Sequence, residues 1–251
     1  METSTDHLLN GRVLYRQPKL GFRAAIDPVL LAAAIPAAAG DRVLEGGTGA
    51  GAALLCLATR VSGVIGTGIE RDIGLLRLAA DNAAANGLAG LSFVAADLTA
   101  CPVGGVFDHA FANPPYHAAH GTASGIRARE AAKRADAGTI GSWTAALAAP
   151  LRARGTLTLI LPPHQLEAAL IAFRTVQSPA ERVVPIWTRL NRPARWVIVQ
   201  GRKFGRAGLA LAPGLVLHAA GTAWSASADA ILRQGWALDA ALALNTPKEP
   251  S

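Results

Sequence analysis

Short apolar runs alternate along this chain with longer segments whose apolar residues recur at helical spacing, which predicts successive βα units. The runs Arg42–Gly46, Val64–Ile69, Leu91–Ala96, Val106–Ala112 and Gly155–Leu161 read as strands, the first of them buried, each followed by a glycine, an acid, an asparagine or a proline. Helices are expected over Ala52–Arg60, Asp72–Asn86, Ile140–Ala153 and Gln165–Arg174. In the second, Ile73, Leu76, Ala80, Ala83 and Ala84 fall near one face, and Gly87 ends the run. Two later strands, Val183–Arg189 and Arg195–Arg202, joined by Leu190-Asn191-Arg192-Pro193, read as an antiparallel hairpin that closes the sheet. Upstream lie a hairpin-like segment, about Asp6–Ala25, and a short helix, about Pro28–Ile35. Downstream lie a strand-like Leu209–His218 and a helix Ala226–Gln234, with Asn245–Ser251 expected to lack order. The stretch Tyr116–Gly138, rich in Gly, Ala, Ser and basic residues, is long for a loop and reads as a mobile functional segment. The pattern implies one α/β core over residues 41–205. A hairpin and helix in residues 1–40 pack on it, and residues 206–251 form an extension.

Composition narrows the partners more than the fold. Of 251 residues, 51% are hydrophobic and 16% charged, enough apolar material for a sizeable core. Lys and Arg number 24 against 17 acids, a formal charge of +7 that favours polyanions. Between Arg182 and Arg206 the bases Arg182, Arg189, Arg192, Arg195, Arg202, Lys203 and Arg206 occur with no acid among them. A second group, Arg127, Arg129, Lys133 and Arg134, contains one acid, Glu130. Both are expected near the mouth of a pocket at the sheet edge, as a track for phosphates. Cys56 and Cys101 are too few for a disulfide framework and read as reduced thiols. The histidines are scattered without metal-ligand spacing, so no metal is expected, and only His117 has a claim on the pocket. No basic-then-apolar start marks a signal peptide. The alanine-rich stretch 24–39 is interrupted by Asp27, Pro28 and Pro36, short of the about 20 apolar residues that span a bilayer. A cytoplasmic protein is expected, and no feature of the sequence fixes an oligomeric state.

Four strand ends carry chemistry. Arg42-Val43-Leu44-Glu45-Gly46-Gly47-Thr48-Gly49-Ala50-Gly51 runs from a strand into a glycine-rich turn and a helix, an element that cradles nucleotides. Glycines let the backbone approach a ligand, and the helix start offers free N–H groups. The spacing Gly47-x-Gly49-x-x-Ala52 also fits a dinucleotide fingerprint. The next strand ends in Glu70, placed to hold ribose hydroxyls, and the third in Asp97, placed to accept from an adenine amino group. The fourth ends in Asn113-Pro114-Pro115-Tyr116. An exocyclic amine on a planar ring is a poor nucleophile because its lone pair is delocalised. The Asn113 side-chain oxygen and the Pro114 carbonyl, in a turn stiffened by two prolines, are placed to accept both amine protons and draw the nitrogen toward tetrahedral geometry. Tyr116 is placed to stack on the ring. A nicotinamide enzyme has no need of this fourth element.

The ordered set of glycine loop, Glu70, Asp97 and Asn113-Pro114-Pro115-Tyr116 resembles the class I S-adenosylmethionine-dependent amino-methyltransferases. That resemblance implies a Rossmann-like seven-stranded sheet with a closing antiparallel hairpin. It implies that Glu45, Gly47, Gly49 and Gly51 surround the methionine part of the cofactor, that Glu70 takes the ribose, and that Asp97 takes the adenine with Arg71 against it. The first acid of the glycine motif is usually Asp in this family and is Glu45 here, one methylene longer. The stretches Gly21-Phe22-Arg23-Ala24-Ala25-Ile26-Asp27-Pro28-Val29-Leu30-Leu31 and Asn191-Arg192-Pro193-Ala194-Arg195-Trp196-Val197-Ile198-Val199-Gln200 are similar to the small-domain tRNA(Val) anticodon-loop adenine N6-methyltransferases. A tRNA partner follows from that likeness, with Lys133, Arg134, Arg192 and Arg195 as the expected RNA contacts. Two other readings stay open: a glutamine side-chain amide in a release factor, which presents the same two protons, and a non-catalytic RNA-binding module.

Overall fold

The computed structural model describes residues 2–20, 26–100, 103–115, 126–219 and 221–245, with the backbone alone described for 126–136 and 245. Strands β1 (Thr3–Leu8) and β2 (Val13–Pro18) pair antiparallel around a turn in which Leu9, Asn10 and Gly11 all take positive φ. On β2, Val13 and Tyr15 are buried and Arg16 is exposed, the period-2 alternation of a strand with one face on the core. Helix α1 (Asp27–Ala34) starts at Asp27-Pro28, where the fixed φ of proline suits a first helical turn, and all eight of its residues are buried.

A run of βα units follows: β3 (Arg42–Gly46), α2 (Ala52–Arg60), β4 (Ile65–Glu70), α3 (Ile73–Ala85) and β5 (Leu91–Ala95). Then come β6 (Phe107–Ala112), α4 (Ile126–Ala148), β7 (Leu151–Leu161), α5 (Leu166–Thr175), β8 (Ala180–Trp187) and β9 (Trp196–Arg202). Two-residue strands β10 (Ala210–Leu211) and β11 (Leu215–Val216) precede α6 (Ala226–Leu232) and α7 (Leu238–Leu242). The sheet order is β10-β8-β9-β7-β6-β3-β4-β5, with β11 also on β8. Strands β3 to β7 pair parallel, and β9 runs antiparallel to both β7 and β8. Successive residues of β3 face opposite ways. Val43 joins α1, α2, α6, α7 and the N-terminal hairpin in one apolar cluster, whereas Leu44 joins α4 and α5 in the other.

Seven strands, β3 to β9, form the expected sheet with its antiparallel hairpin, and β10 and β11 extend it to nine. The single strand expected over Leu209–His218 is broken at Pro213-Gly214. Proline has no N–H for the ladder, and Gly214, at φ +83°, lies where a side chain would run into the Trp187 ring. The expected loop Tyr116–Gly138 is in part a helix, because α4 begins at Ile126; residues 116–125 lie outside the described residues. That first half of α4 is rich in Ala and Arg, strong helix formers without an apolar stripe. At its other end α4 stops at Ala148 rather than Ala153, since Pro150 cannot continue a helix and Leu151–Arg154 belong to β7. Helix α7 lies beyond the expected last helix. Residues 246–251 lie outside the described residues.

Candidate active site

The register brings four strand ends side by side. Gly46 of β3 is level with Ile69 of β4 and with Ala112 of β6, and Glu70 is level with Ala95 of β5. The glycine loop, Glu70, Asp97 and Asn113 therefore share one carboxyl edge, spread over three inter-strand gaps, about 14 Å. Chain order reverses between β3 and β6, the crevice where open α/β sheets take ligands.

The loop after β3 is shaped by backbone conformation. Gly47, Gly49 and Gly51 have φ of +64°, +57° and +91°, and Gly51 is the N-cap of α2. A Cβ on Gly47 would lie 2.5 Å from the Trp143 ring of α4, so only glycine fits there. Beside Gly49 there is open space, which leaves the loop approachable from the sheet edge. Glu45 lies beneath this loop, 5% exposed, and accepts a hydrogen bond from Thr48 Oγ1 at 2.5 Å. Burial pushes its carboxyl up to about 8; the bonds from Thr48 and the Leu54 N–H oppose that rise, and nearby Glu70 adds to it.

Glu70 ties the loop to the next element. Its Oε2 accepts from the Gly49 N–H at 3.0 Å and its Oε1 from the Asp72 N–H at 2.9 Å. Each carboxylate oxygen has a further lone pair for a hydroxyl. Asp97 is exposed and accepts from the Thr99 N–H at 2.8 Å and the Thr99 hydroxyl at 2.7 Å. Those bonds hold its carboxyl below the usual range, and the charge of Arg71 lowers it further.

Asn113 follows β6 directly. Its Nδ2 donates to Asp27 Oδ2 of α1 at 2.5 Å, which pins the amide against the first turn of that helix. Pro114 is buried and Pro115 exposed. Tyr116 and His117 lie outside the described residues, as does Cys101. Cys56 is buried in α2 with its thiol pushed up to about 12 by burial, an inert state.

The basic segment is not a single track. β8 runs parallel to β7, so the β8–β9 turn stands at the carboxyl edge, and Arg192 and Arg195 are exposed there. The Arg195 guanidinium lies over the Trp196 ring, 5.3 Å from its centre. Among the described residues neither makes an ion pair. The other end of β9 pairs with Thr156 near the start of β7, which puts Arg202 and Lys203 at the opposite edge, about 23 Å away for seven extended residues. There Arg202 pairs with Glu181 at 3.2 Å, and Lys203 Nζ donates to the Ala148 and Ala149 carbonyls at 2.8 and 3.0 Å. Arg182 pairs with Asp239 of α7, and Arg189 donates to the Gly221 carbonyl. Glu181 and Asp239, both outside that segment, thus pair with two of the seven bases. Lys133 and Arg134 fall on α4 where the backbone alone is described.

Three contributors escape a reading of local motifs. Trp143 closes the space under Gly47, although nothing in the α4 sequence ties it to the loop. Asn82 of α3 donates to the Ala50 carbonyl of the glycine loop at 3.0 Å. Asp27 is the third; its signal was a single acid inside the apolar run Ile26–Leu31.

Residues 24–139 match the family described as methyltransferase small domain. The release factor glutamine methyltransferase of Rhodospirillum rubrum is 43% identical over 77 residues, 31% of this chain. The chain spans 24% of that relative's length. Among solved structures, a predicted O-methyltransferase from Agrobacterium tumefaciens superposes with a TM-score of 0.67 at 22% identity, covering 81% of this chain and 94% of that one. The 16S rRNA N2 G1207 methyltransferase of T. thermophilus, solved with AdoMet and guanosine, gives 0.55 at 20% identity, covering 80% of this chain and 50% of that one. The open backbone beside Gly49, the free lone pairs of Glu70 and the exposed Asp97 fit an adenosyl ligand lying across the strand ends. The fold is therefore the Rossmann-like class I methyltransferase fold, and S-adenosylmethionine is its cofactor.

Proposed function

We propose that this protein transfers a methyl group from S-adenosylmethionine to an exocyclic amino nitrogen, adenine N6 in a tRNA loop. The observation that carries the reading is the position of Asn113-Pro114 at the end of β6, beside the glycine strand at the switch point. Gly47, Gly49 and Gly51 would surround the methionine part, with Glu45 bracing the loop from beneath. Glu70 would hold the ribose, and Asp97 and Arg71 the adenine. When bound, the cofactor supplies an electrophilic methyl group on sulfur. Asn113 Oδ1 and the Pro114 carbonyl accept the two amine protons and turn the nitrogen lone pair out of the ring plane, toward that methyl. The same two oxygens then stabilise the positive charge that develops on nitrogen. No general base is required, because the amine becomes acidic only once methylated, and the proton leaves to water. Tyr116 would stack on the base, and an unpaired loop base is cheap to extrude. Arg192 and Arg195 at the same edge, with Lys133 and Arg134 on α4, would hold the phosphates.

The Rhodospirillum rubrum relative favours a second reading, since a glutamine amide nitrogen offers the same two protons to the same two acceptors. One experiment separates them. The purified protein is given S-adenosylmethionine with a labelled methyl group, together with either tRNA from a strain lacking this gene or release factor. The expected result is label in N6-methyladenosine after digestion of the tRNA to nucleosides. Label in a release-factor glutamine and none in tRNA would replace the first reading with the second, and label in neither would leave the amine assignment wrong.

A further inference from the structure

Asp27 is a buried acid, 4% exposed, in a helix whose every residue is buried. Such a carboxylate is costly unless its oxygens are used. It is not the N-cap of α1; that place is held by Ile26, with no side-chain cap bond. Instead its Oδ2 accepts from Asn113 Nδ2 at 2.5 Å, across 86 residues of sequence.

The chemistry of that pair is one-directional. Asp27 Oδ2 is the acceptor and the branch of the Asn113 amide facing it is the NH₂ group; turned over, Oδ1 would meet that oxygen lone pair to lone pair. The amide is planar, so Oδ1 is left on the other branch, away from Asp27. An acceptor bonded to Nδ2 also polarises the amide toward its oxygen, which strengthens Oδ1 as an acceptor. We infer that Asp27 is a positioning residue for methyl transfer, holding the Asn113 amide in the orientation in which Oδ1 accepts a proton from the substrate nitrogen. The inference rests on the reading of Asn113 as the amine acceptor and assigns Asp27 no contact with substrate or cofactor.

The test is a double-mutant cycle on transfer to tRNA from a strain lacking the gene. Asp27→Ala should lower kcat about 10- to 100-fold, as expected for a misplaced catalytic group, with KM and S-adenosylmethionine affinity little changed. Asp27→Asn, whose own side-chain oxygen can accept from Nδ2, should recover most of that loss, which separates orientation from folding. In an Asn113→Ala background, Asp27→Ala should cost nothing more. Losses that simply add would overturn the inference, as would an Asp27→Asn variant no better than Asp27→Ala. A second measurement needs no substrate. In nitrogen–proton correlation spectra, the Asn113 side-chain amide, identified by its disappearance in Asn113→Ala, should have one strongly downfield proton that Asp27→Ala abolishes. An unchanged amide signal would sink the Asp27 role even with transfer to tRNA intact. Should the wild type act on release factor instead, the tRNA reading fails alone, and the same cycle on that substrate carries the same expectation.

Discussion

At the scale of single residues, Glu45 and Asn113 show how burial and hydrogen bonding decide what a polar group can do. Glu45 holds its proton up to about pH 8 because burial disfavours the carboxylate, whereas an unfolded chain releases it near the ordinary glutamate value of 4.5. Between those values the native state binds more protons than the unfolded one, so this group's contribution to stability is present at low pH and lost as pH rises through about 8. His109, pushed down by burial, acts in the opposite sense in the lower part of that window, so the informative quantity is a difference. Urea midpoints of the wild type relative to Glu45→Gln should fall between about pH 5 and pH 8.5, and a flat difference would show that Glu45 is ionised in the native state. Asn113→Ala should leave the fold and cofactor affinity in place and lower turnover by about two orders of magnitude or more, measured as single-turnover methyl transfer. Glu45, Glu70, Asp97 and Asn113 were legible in the sequence because each stands directly after or at the end of an apolar run. Asp27 was not, since its partner, 86 residues away in sequence, is set by how α1 packs on the sheet.

Among the elements, α3 does work that no local pattern announces. Asn82 and Asn86 are one turn apart, about 6 Å along the helix, close to the about 6.8 Å between alternate residues of a strand. That match lets Asn86 bond both main-chain groups of Leu14, at 2.8 and 2.7 Å, while Asn82 bonds both of Arg16, at 3.0 and 2.9 Å. The free edge of β2 is thereby capped by side chains rather than by another strand. Asn82 is 1% exposed and also reaches the Ala50 carbonyl, so it joins the N-terminal hairpin to the glycine loop. Asn82→Ala leaves those groups unpaired and should cost about 1–3 kcal/mol in denaturant unfolding. Calorimetry should also show weaker S-adenosylmethionine binding, and unchanged binding would mean that the loop holds its shape without α3. Strands and short helices of the core were readable because proline, glycine or acids punctuate them. The first half of α4 was not readable, because its alanines and arginines favour a helix without marking a buried face. Nor was the break between β10 and β11, where a pattern of apolar residues continues but Pro213 removes the hydrogen bond.

On the scale of the whole molecule, the +7 charge matters through the edge of the sheet to which each base is carried. A strand turns a sequence cluster into two separate groups, because its ends stand at opposite edges. Arg192 and Arg195 are at the carboxyl edge, where the candidate site lies, while Arg202 and Lys203 are at the other edge and already serve Glu181 and the end of α4. Among described residues no helix is long and apolar enough to cross a membrane. If the carboxyl edge takes RNA, Arg192→Ala combined with Arg195→Ala should weaken binding of all tRNAs alike and make the slope of log affinity against log salt shallower by about one to two. Arg202→Ala combined with Lys203→Ala is the matched control, two bases removed from the same acid-free stretch, and should leave the slope as it is. Cofactor affinity should hold in both variants. Equal effects at the two edges would indicate that only net charge attracts the RNA; an unaltered slope in the double variant would make the hairpin arginines a solvated face.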